Sequence, residues 1–213
     1  MSAGPAPLPQ PILYGASYSV YVRIARLALH EKCVEYQHIP VDIFASSSLP
    51  DGYESLHPFR RIPAFVHGKL KLYETQAITR YIDEAFAGPP LQPSDAKERA
   101  WMNQVMGIVD AYAYRTLVWD IFVERERGEH ADESRIEAAL PRARTCLSAL
   151  NDLLGDRDYF VGNMISLADL HLAPVFGYFT QTNEARTMLA DYPALGRWWA
   201  RMQAQPSWPI ACA

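Results

Sequence analysis

Four hydroxyl side chains, Tyr14, Ser17, Tyr18 and Ser19, crowd into the stretch YGASYSVYVRIARLAL, just ahead of a run whose apolar residues recur at helical spacing. A hydroxyl at the start of a helix can accept a hydrogen bond from the unpaired N–H groups of the first turn and act as a cap. It can also donate to an anion placed there, where the helix dipole already favours negative charge. Glu74 and Thr75 stand in a similar relation to a second helical run, ETQAITRYIDEAF. Unpaired N–H groups at that start favour a carboxylate, and the threonine hydroxyl either adds a donor or merely caps.

Other chemistries find less support. The six histidines show no HxxxH or HExxH spacing, so no metal site is expected. Cys33, Cys146 and Cys212 are odd in number and far apart, with no CxxC, which suggests neither a disulfide framework nor a zinc knuckle and fits a reducing, cytoplasmic setting. Cys33, after the first helix, reads as a small buried hydrophobe. A net charge of -4 gives no electrostatic reason to expect nucleic acid or an anionic membrane, so a small anionic ligand must be held by local groups. No apolar run approaches the ~18 residues of a membrane span, and the proline-rich opening MSAGPAPLPQP has no signal-peptide pattern.

The elements that must position these residues fall into two halves. PILYG reads as a strand, SVYVRIARLALHEK as a helix and VEYQHIPVDI as a strand. After a loop, IPAFVHGKLKLY gives two strand-like runs about His67-Gly68, followed by the helix of ETQAITRYIDEAF. The order is β-α-β, loop, β-β-α. AGPPLQPSD then breaks both kinds of regular structure and marks a linker. Beyond it the pattern is helical over Ser94–Arg127, Asp132–Leu154, Ser166–Thr180 and Pro193–Gln205. The expected organisation is a flexible arm at 1–10, an α/β domain at 11–87, a linker at 88–93 and an all-helical domain at 94–213. Ser166 and Asp169 have the form of a capping box, a folding element rather than a catalytic one. Pro174 predicts a bend or break, and ERERGEH reads as a solvated helix end.

ILYGASYSVYVRIARLALHEK, HPFRRIPAFVHGKLKLYETQAITRYI and GNMISLADLHLAPVF occur in the order and at the spacings of a cytosolic glutathione transferase. The chain resembles the serine-type classes, and its first half the plant and microbial phi-like group, over nearly the whole length beyond the arm. The resemblance implies a thioredoxin-like N-terminal domain (β-α-β-α-β-β-α), an α-helical C-terminal domain and a homodimer. It implies glutathione as co-substrate and no permanently bound cofactor. It implies a cis Ile62-Pro63 bond whose strand edge pairs with the tripeptide backbone, and a γ-glutamyl group held at Glu74-Thr75, where the phi-like pattern has serine in place of Thr75.

Ser19 matches the phi-like catalytic serine. A free thiol, with pKa near 8.5, is mostly protonated at neutral pH, so something must stabilise the thiolate. A hydrogen bond to a charged partner supplies roughly 1.5–3 kcal/mol, enough for a shift of about one to two pKa units. Ser17 and Tyr14 remain alternatives, since zeta-like members carry serines slightly earlier and tyrosine-type classes use a residue at the end of the first strand. For Tyr14 and Tyr18 a packed aromatic is the competing reading. GASYS lacks the cysteine of omega-like and beta-like relatives, so mixed-disulfide chemistry has no nucleophile at that place.

The loop departs from the phi-like NPFGQVPAF. Here HPFRRIPAF puts Arg61 where a glutamine contacts glutathione; its guanidinium either clamps the glycyl carboxylate or is a solvated loop charge. The preceding SSSLPDGYE lacks the phi-like basic residues, which leaves the glycyl end to be held differently or weakly. The electrophile pocket stays open among Tyr18, Tyr112, Arg115 and Trp119, with Tyr114 and Phe122 nearby; each could equally be core or dimer surface. The leading function is thiolate conjugation to a hydrophobic electrophile. A glutathione-dependent peroxidase or reductase, and a non-catalytic binding protein keeping the fold, are the alternatives.

Overall fold

The computed structural model describes residues 9–44 and 49–212. The expected N-terminal arm, apart from Pro9 and Gln10, lies outside them. The chain divides into two compact units, Met1–Pro89 with Ala211–Ala213, and Pro90–Ile210.

In the first unit β1 (Ile12–Tyr14), α1 (Val20–Glu31) and β2 (Gln37–Ile39) make a βαβ unit, with β1 and β2 parallel. β3 (Ala64–His67) and β4 (Leu70–Tyr73) form an antiparallel hairpin, followed by α2 (Thr75–Ala85). β3 also pairs antiparallel with β1, so the mixed sheet is ordered β2-β1-β3-β4. Gly68 takes φ 62° at the first position of the hairpin turn, where a primed turn needs a residue tolerant of positive φ. The helix that the family resemblance places between β2 and β3 is, among the described residues, only a 3₁₀ turn at Tyr53–Ser55.

α1 buries Val20, Val22, Ile24, Leu27 and Leu29, a face wide enough to make it the central helix of the unit. Full burial of each such side chain contributes about 1.5–3 kcal/mol. The helix ends at Lys32, and Cys33 then turns the chain with φ 53°. That turn points Cys33 outward: it is exposed, not buried as its sequence context suggested. Lys32 is itself buried, and its ammonium reaches Asp83 Oδ1 on α2 at 3.1 Å and the Gly88 and Pro89 carbonyls at 3.4 and 3.1 Å. A buried charge persists only when paired, so this contact ties α1 to α2 and to the chain leaving the unit.

The second unit opens with one long rod: α3 (Ala96–Ile108), a π-helical stretch (Val109–Phe122) and a last turn, α4 (Val123–Arg125). Asp95 caps its start, accepting from Lys97 N and Glu98 N at 2.9 and 3.0 Å. α5 (Glu133–Leu154), α6 (Leu167–Phe179), α7 (Asn183–Leu189), α8 (Pro193–Gln203) and α9 (Ser207–Ala211) follow. The span of α6 is uninterrupted at Pro174, where the residue pattern predicts a bend or break.

The ERERGEH segment corrects its sequence reading. Glu124 is fully buried, accepting from Arg127, Arg135 and the Asp132 N–H, while Arg125 pairs with Glu133 and Glu184. Asp120, one turn earlier and also buried, meets Arg115, Arg135 and Arg142 at 2.8–3.2 Å. Charges that look solvated in the sequence therefore fasten the π-helical stretch to α5. The capping box is present: the Asp169 carboxylate accepts from Ser166 N, Ser166 Oγ, Phe160 N and Trp198 Nε1 at 2.7–3.0 Å. Burial pushes the Asp169 carboxyl up, against the pull of those hydrogen bonds.

Candidate active site

The first unit brings the end of β1, the start of α1 and the residues before β3 together over Gly15. A Cβ built on Gly15 would lie 2.4 Å from Val22 Cγ2 and 3.2 Å from Ile62 Cβ, and Gly15 has φ 151°. Only glycine lets the first turn of α1 and the Ile62 backbone approach this closely. Gly15 is held in turn by β2, its N–H donating to the Ile39 carbonyl at 3.0 Å and its carbonyl lying 2.8 Å from His38 Nε2.

Ser19 is the N-cap of α1, with φ -69° and ψ 128°. Its Oγ accepts from Val22 N at 3.5 Å, a long bond that uses a lone pair and leaves the hydroxyl proton without an acceptor among the described residues. Ser19 is half-buried. Ser17 is exposed, and its carbonyl accepts from Arg23 Nε at 3.0 Å, which fixes the approach to the helix. Tyr18 is exposed and donates to Asp42 Oδ1 at 2.5 Å. Tyr14 packs edge-on against Tyr53, ring centroids 6.4 Å apart.

Ile62-Pro63 is cis and both residues are buried. The carbonyl of Arg61, just before them, accepts from the Tyr53 hydroxyl at 2.9 Å. Burial, with a smaller contribution from Tyr14, pushes the Tyr53 phenol up to about 12, so it stays a proton donor. The Arg61 side chain is exposed; Arg60, at φ 53°, has its guanidinium 3.6 Å from Glu54.

Glu74 is the N-cap of α2 and holds φ 70°, ψ 113°, a conformation that costs a residue with a Cβ about 1–3 kcal/mol. Such strain persists only where surrounding packing enforces it. Its carboxylate makes no cap bond, leaving the helix start open, and Thr75 is the first helical residue rather than the cap. Thr75 is buried while Glu74 is exposed.

His57 belongs to the same neighbourhood. Only 3% exposed, it lies tilted by 38° against Tyr73, the residue before Glu74, with centroids 5.0 Å apart, and meets the edge of Phe59 at 6.3 Å. Burial lowers its imidazole pKa, Glu74 opposes that and Arg61 adds to it.

The remaining sequence candidates sit on the π-helical stretch of the other unit. Tyr112 is exposed, Trp119 lies edge-on to Tyr114 at 6.5 Å, and Arg115 Nε is 3.1 Å from Asp120. Arg115 is thus engaged in the charge network that fastens the helix. Among the described residues no group of three or more His, Cys, Asp or Glu is placed to hold a metal ion, and no helix is long and apolar enough to cross a membrane.

A hydroxyl at one helix start, a buried cis X-Pro before a strand, and a second helix start carrying a carboxylate on a positive-φ residue suit an extended, charged, peptide-like ligand. Residues 13–90 match the family model "Glutathione S-transferase, N-terminal domain", and residues 109–206 match "Glutathione S-transferase, C-terminal domain". The chain belongs to the glutathione S-transferase family. A glutathione S-transferase of Hyoscyamus muticus is 30% identical over 205 residues, covering 93% of this chain and 96% of that one. Glutathione S-transferase F13 of Arabidopsis thaliana is 30% identical over 201 residues, covering 92% and 91%. Among solved structures, glutathione transferase F7 of Populus trichocarpa superposes with TM-score 0.81 at 28% identity, covering 94% of this chain and 97% of that one. A theta class glutathione S-transferase from Xanthomonas axonopodis pv. citri, solved with glutathione bound, gives TM-score 0.81 at 27% identity, covering 96% and 97%.

Within this glutathione S-transferase fold, Tyr53, His38 and Gly15 position the candidate site without having been singled out in the sequence, whereas His57 was visible there as a departure from the phi-like loop. Gly15 stood in the open as the one glycine of GASYS, between strand and helix. Tyr53 and His38 carry no local signal, because their partners lie elsewhere in the chain.

Proposed function

We propose that this protein conjugates glutathione to hydrophobic electrophiles, with Ser19 as the hydroxyl that stabilises the thiolate. The observation that carries this reading is the half-buried Ser19 cap, whose long bond to Val22 N leaves its proton free to be donated, held beside Ile62 through Gly15. The cysteinyl backbone pairs with the edge at Ile62-Pro63, the γ-glutamyl group lies at Glu74 and Thr75, and the exposed Arg61 offers a cation for the glycyl carboxylate. Tyr112 and Trp119 are the better electrophile contacts on the helical unit, since Arg115 is drawn to Asp120. We further propose that the 11–87 segment binds glutathione and the 94–213 segment the electrophile, in a cytoplasmic homodimer.

The test is the pH–rate profile of aryl-halide conjugation. A single O–H donor contributes roughly 1.5–3 kcal/mol to a thiolate, so Ser19→Ala should raise the apparent pKa of bound thiol by about one to two units. Ser17→Ala and Tyr14→Phe should leave it in place. If Ser19→Ala keeps the wild-type profile while Tyr14→Phe shifts it, the role passes to Tyr14.

A further inference from the structure

His57 stands where the phi-like loop has asparagine, and its placement calls for an explanation. The ring is clamped in a three-ring cluster with Tyr73 and Phe59, and the Phe59 and Tyr73 centroids lie 6.0 Å apart. Its backbone is equally fixed: the N–H donates to the Tyr53 carbonyl at 3.0 Å and the carbonyl accepts from Arg60 N at 2.9 Å. Nδ1 is buried and has no hydrogen-bond partner among the described residues. A packing role alone would be met by an apolar ring, without the cost of an unsatisfied polar atom.

The charged groups around this ring define what it can sense. Glu74, at the junction of β4 and α2, attracts the protonated form, and Arg61, on the same loop, repels it. Arg60 is engaged by Glu54, and Lys71 on β4 reaches the Ser55 carbonyl at 3.4 Å. Tyr73 is in ring contact. Among the described residues Glu74 is the carboxylate that acts on His57, and it is the group assigned above to the γ-glutamyl end of glutathione, which carries a free ammonium beside its carboxylate.

We propose that His57 is a positioning residue for glutathione that acts through Glu74: as a neutral imidazole it leaves that carboxylate to the ligand's ammonium, and as imidazolium it competes for it and weakens binding. This rests on the proposed glutathione site at Glu74-Thr75. Burial keeps His57 neutral at pH 7 and above, so the ligand is held best there. By linkage the effect is reciprocal: a bound ammonium on Glu74 drives the proton off His57, so binding below neutrality releases protons.

The test is calorimetric titration of the intact protein with S-methylglutathione, whose blocked sulfur removes thiol ionisation from the measurement, between pH 5 and pH 8. The wild type should lose affinity about fivefold or more on acidification, the lower end of usual coupling between sites, and His57→Asn should lose that pH dependence. Repeating the wild-type titration at pH 6 in two buffers of different ionisation enthalpy should register proton release, which needs no variant to fold. Wild-type binding that is flat with pH, binding without proton release, or an unchanged slope in His57→Asn overturns the role of His57 while leaving the glutathione site intact. Absence of S-methylglutathione binding at pH 8 overturns the site itself, and His57's role with it.

Discussion

Replacing Gly15 by alanine would place a methyl group 2.4 Å from Val22 Cγ2 and 3.2 Å from Ile62 Cβ, where carbon atoms in contact ordinarily sit about 3.5–4.0 Å apart. Overpacking of this kind costs about 1–3 kcal/mol. The backbone adds to it, because φ 151° is a region that L residues avoid at a further cost of about 1–3 kcal/mol. The unfolded chain returns only about 0.4–1 kcal/mol, since alanine has fewer states to lose than glycine. The net expectation is a loss of about 1–6 kcal/mol, a large share of the ~5–15 kcal/mol that keeps a protein folded. For a chain of this size that corresponds to a fall in Tm of about 2–24 °C, read by circular dichroism. Val22→Ala removes the atom that clashes, so the double variant should recover part of the loss: the two penalties should fall short of additivity by about 1–2 kcal/mol. Gly15→Ala should also weaken S-methylglutathione binding, because relief of the clash moves either the Ser19 turn or Ile62. A Tm within about 2 °C of wild type, or strictly additive penalties in the double variant, would refute the close approach as the reason for glycine.

Two further tests address the scaffold of the same unit. Lys32→Met should cost about 3–5 kcal/mol in urea unfolding by removing the buried cation that pairs with Asp83, and Lys32→Met with Asp83→Leu should regain much of it, since an apolar pair can replace a buried ion pair; equal destabilisation of the single and double variants would contradict the assignment. His30 is lowered below its ordinary pKa by burial and by Arg26, so the unfolded chain binds more protons between the folded pKa and 6.5. Its contribution is full above pH 6.5 and is lost as pH falls through the folded value. His30→Gln should therefore flatten the acid side of a stability–pH curve measured by denaturant titration from pH 5 to pH 8.

Local pattern carried most of the architecture. The β-α-β and β-β-α orders, the hairpin at His67-Gly68, the Ser166/Asp169 capping box and the starts of α5, α6 and α8 were readable because periodicity, caps and breakers coincide there. What escaped depends on partners far along the chain. A π-helical stretch at Val109–Phe122 has much the same apolar composition as an α-helix, and α7 and α9 are too short for a periodic signal. Glu124 looked solvated because Arg135, which neutralises it, belongs to the next helix. At the candidate site Ser19 was legible as a cap ahead of an apolar helix. The positive φ of Glu74 was not, because nothing about glutamate announces it, and the burial of His57 follows from Tyr73 sixteen positions later.

The worth of a hydroxyl as a thiolate donor depends on what else claims its proton. A serine that caps its helix still keeps its donor, since capping consumes a lone pair and not the O–H. The proton becomes useful when no nearby carbonyl takes it and when the helix start, not bulk water, fixes its direction. Ser19 meets the first condition among the described residues. The second is served by contacts within the protein: Arg23 on the Ser17 carbonyl, His38 and Ile39 on Gly15, and Tyr53 on the Arg61 carbonyl. Each fixes a backbone segment rather than a side chain, so Ser19 and the Ile62 edge keep their mutual spacing before any ligand arrives, which is where electrostatic stabilisation of the proposed kind gains its strength.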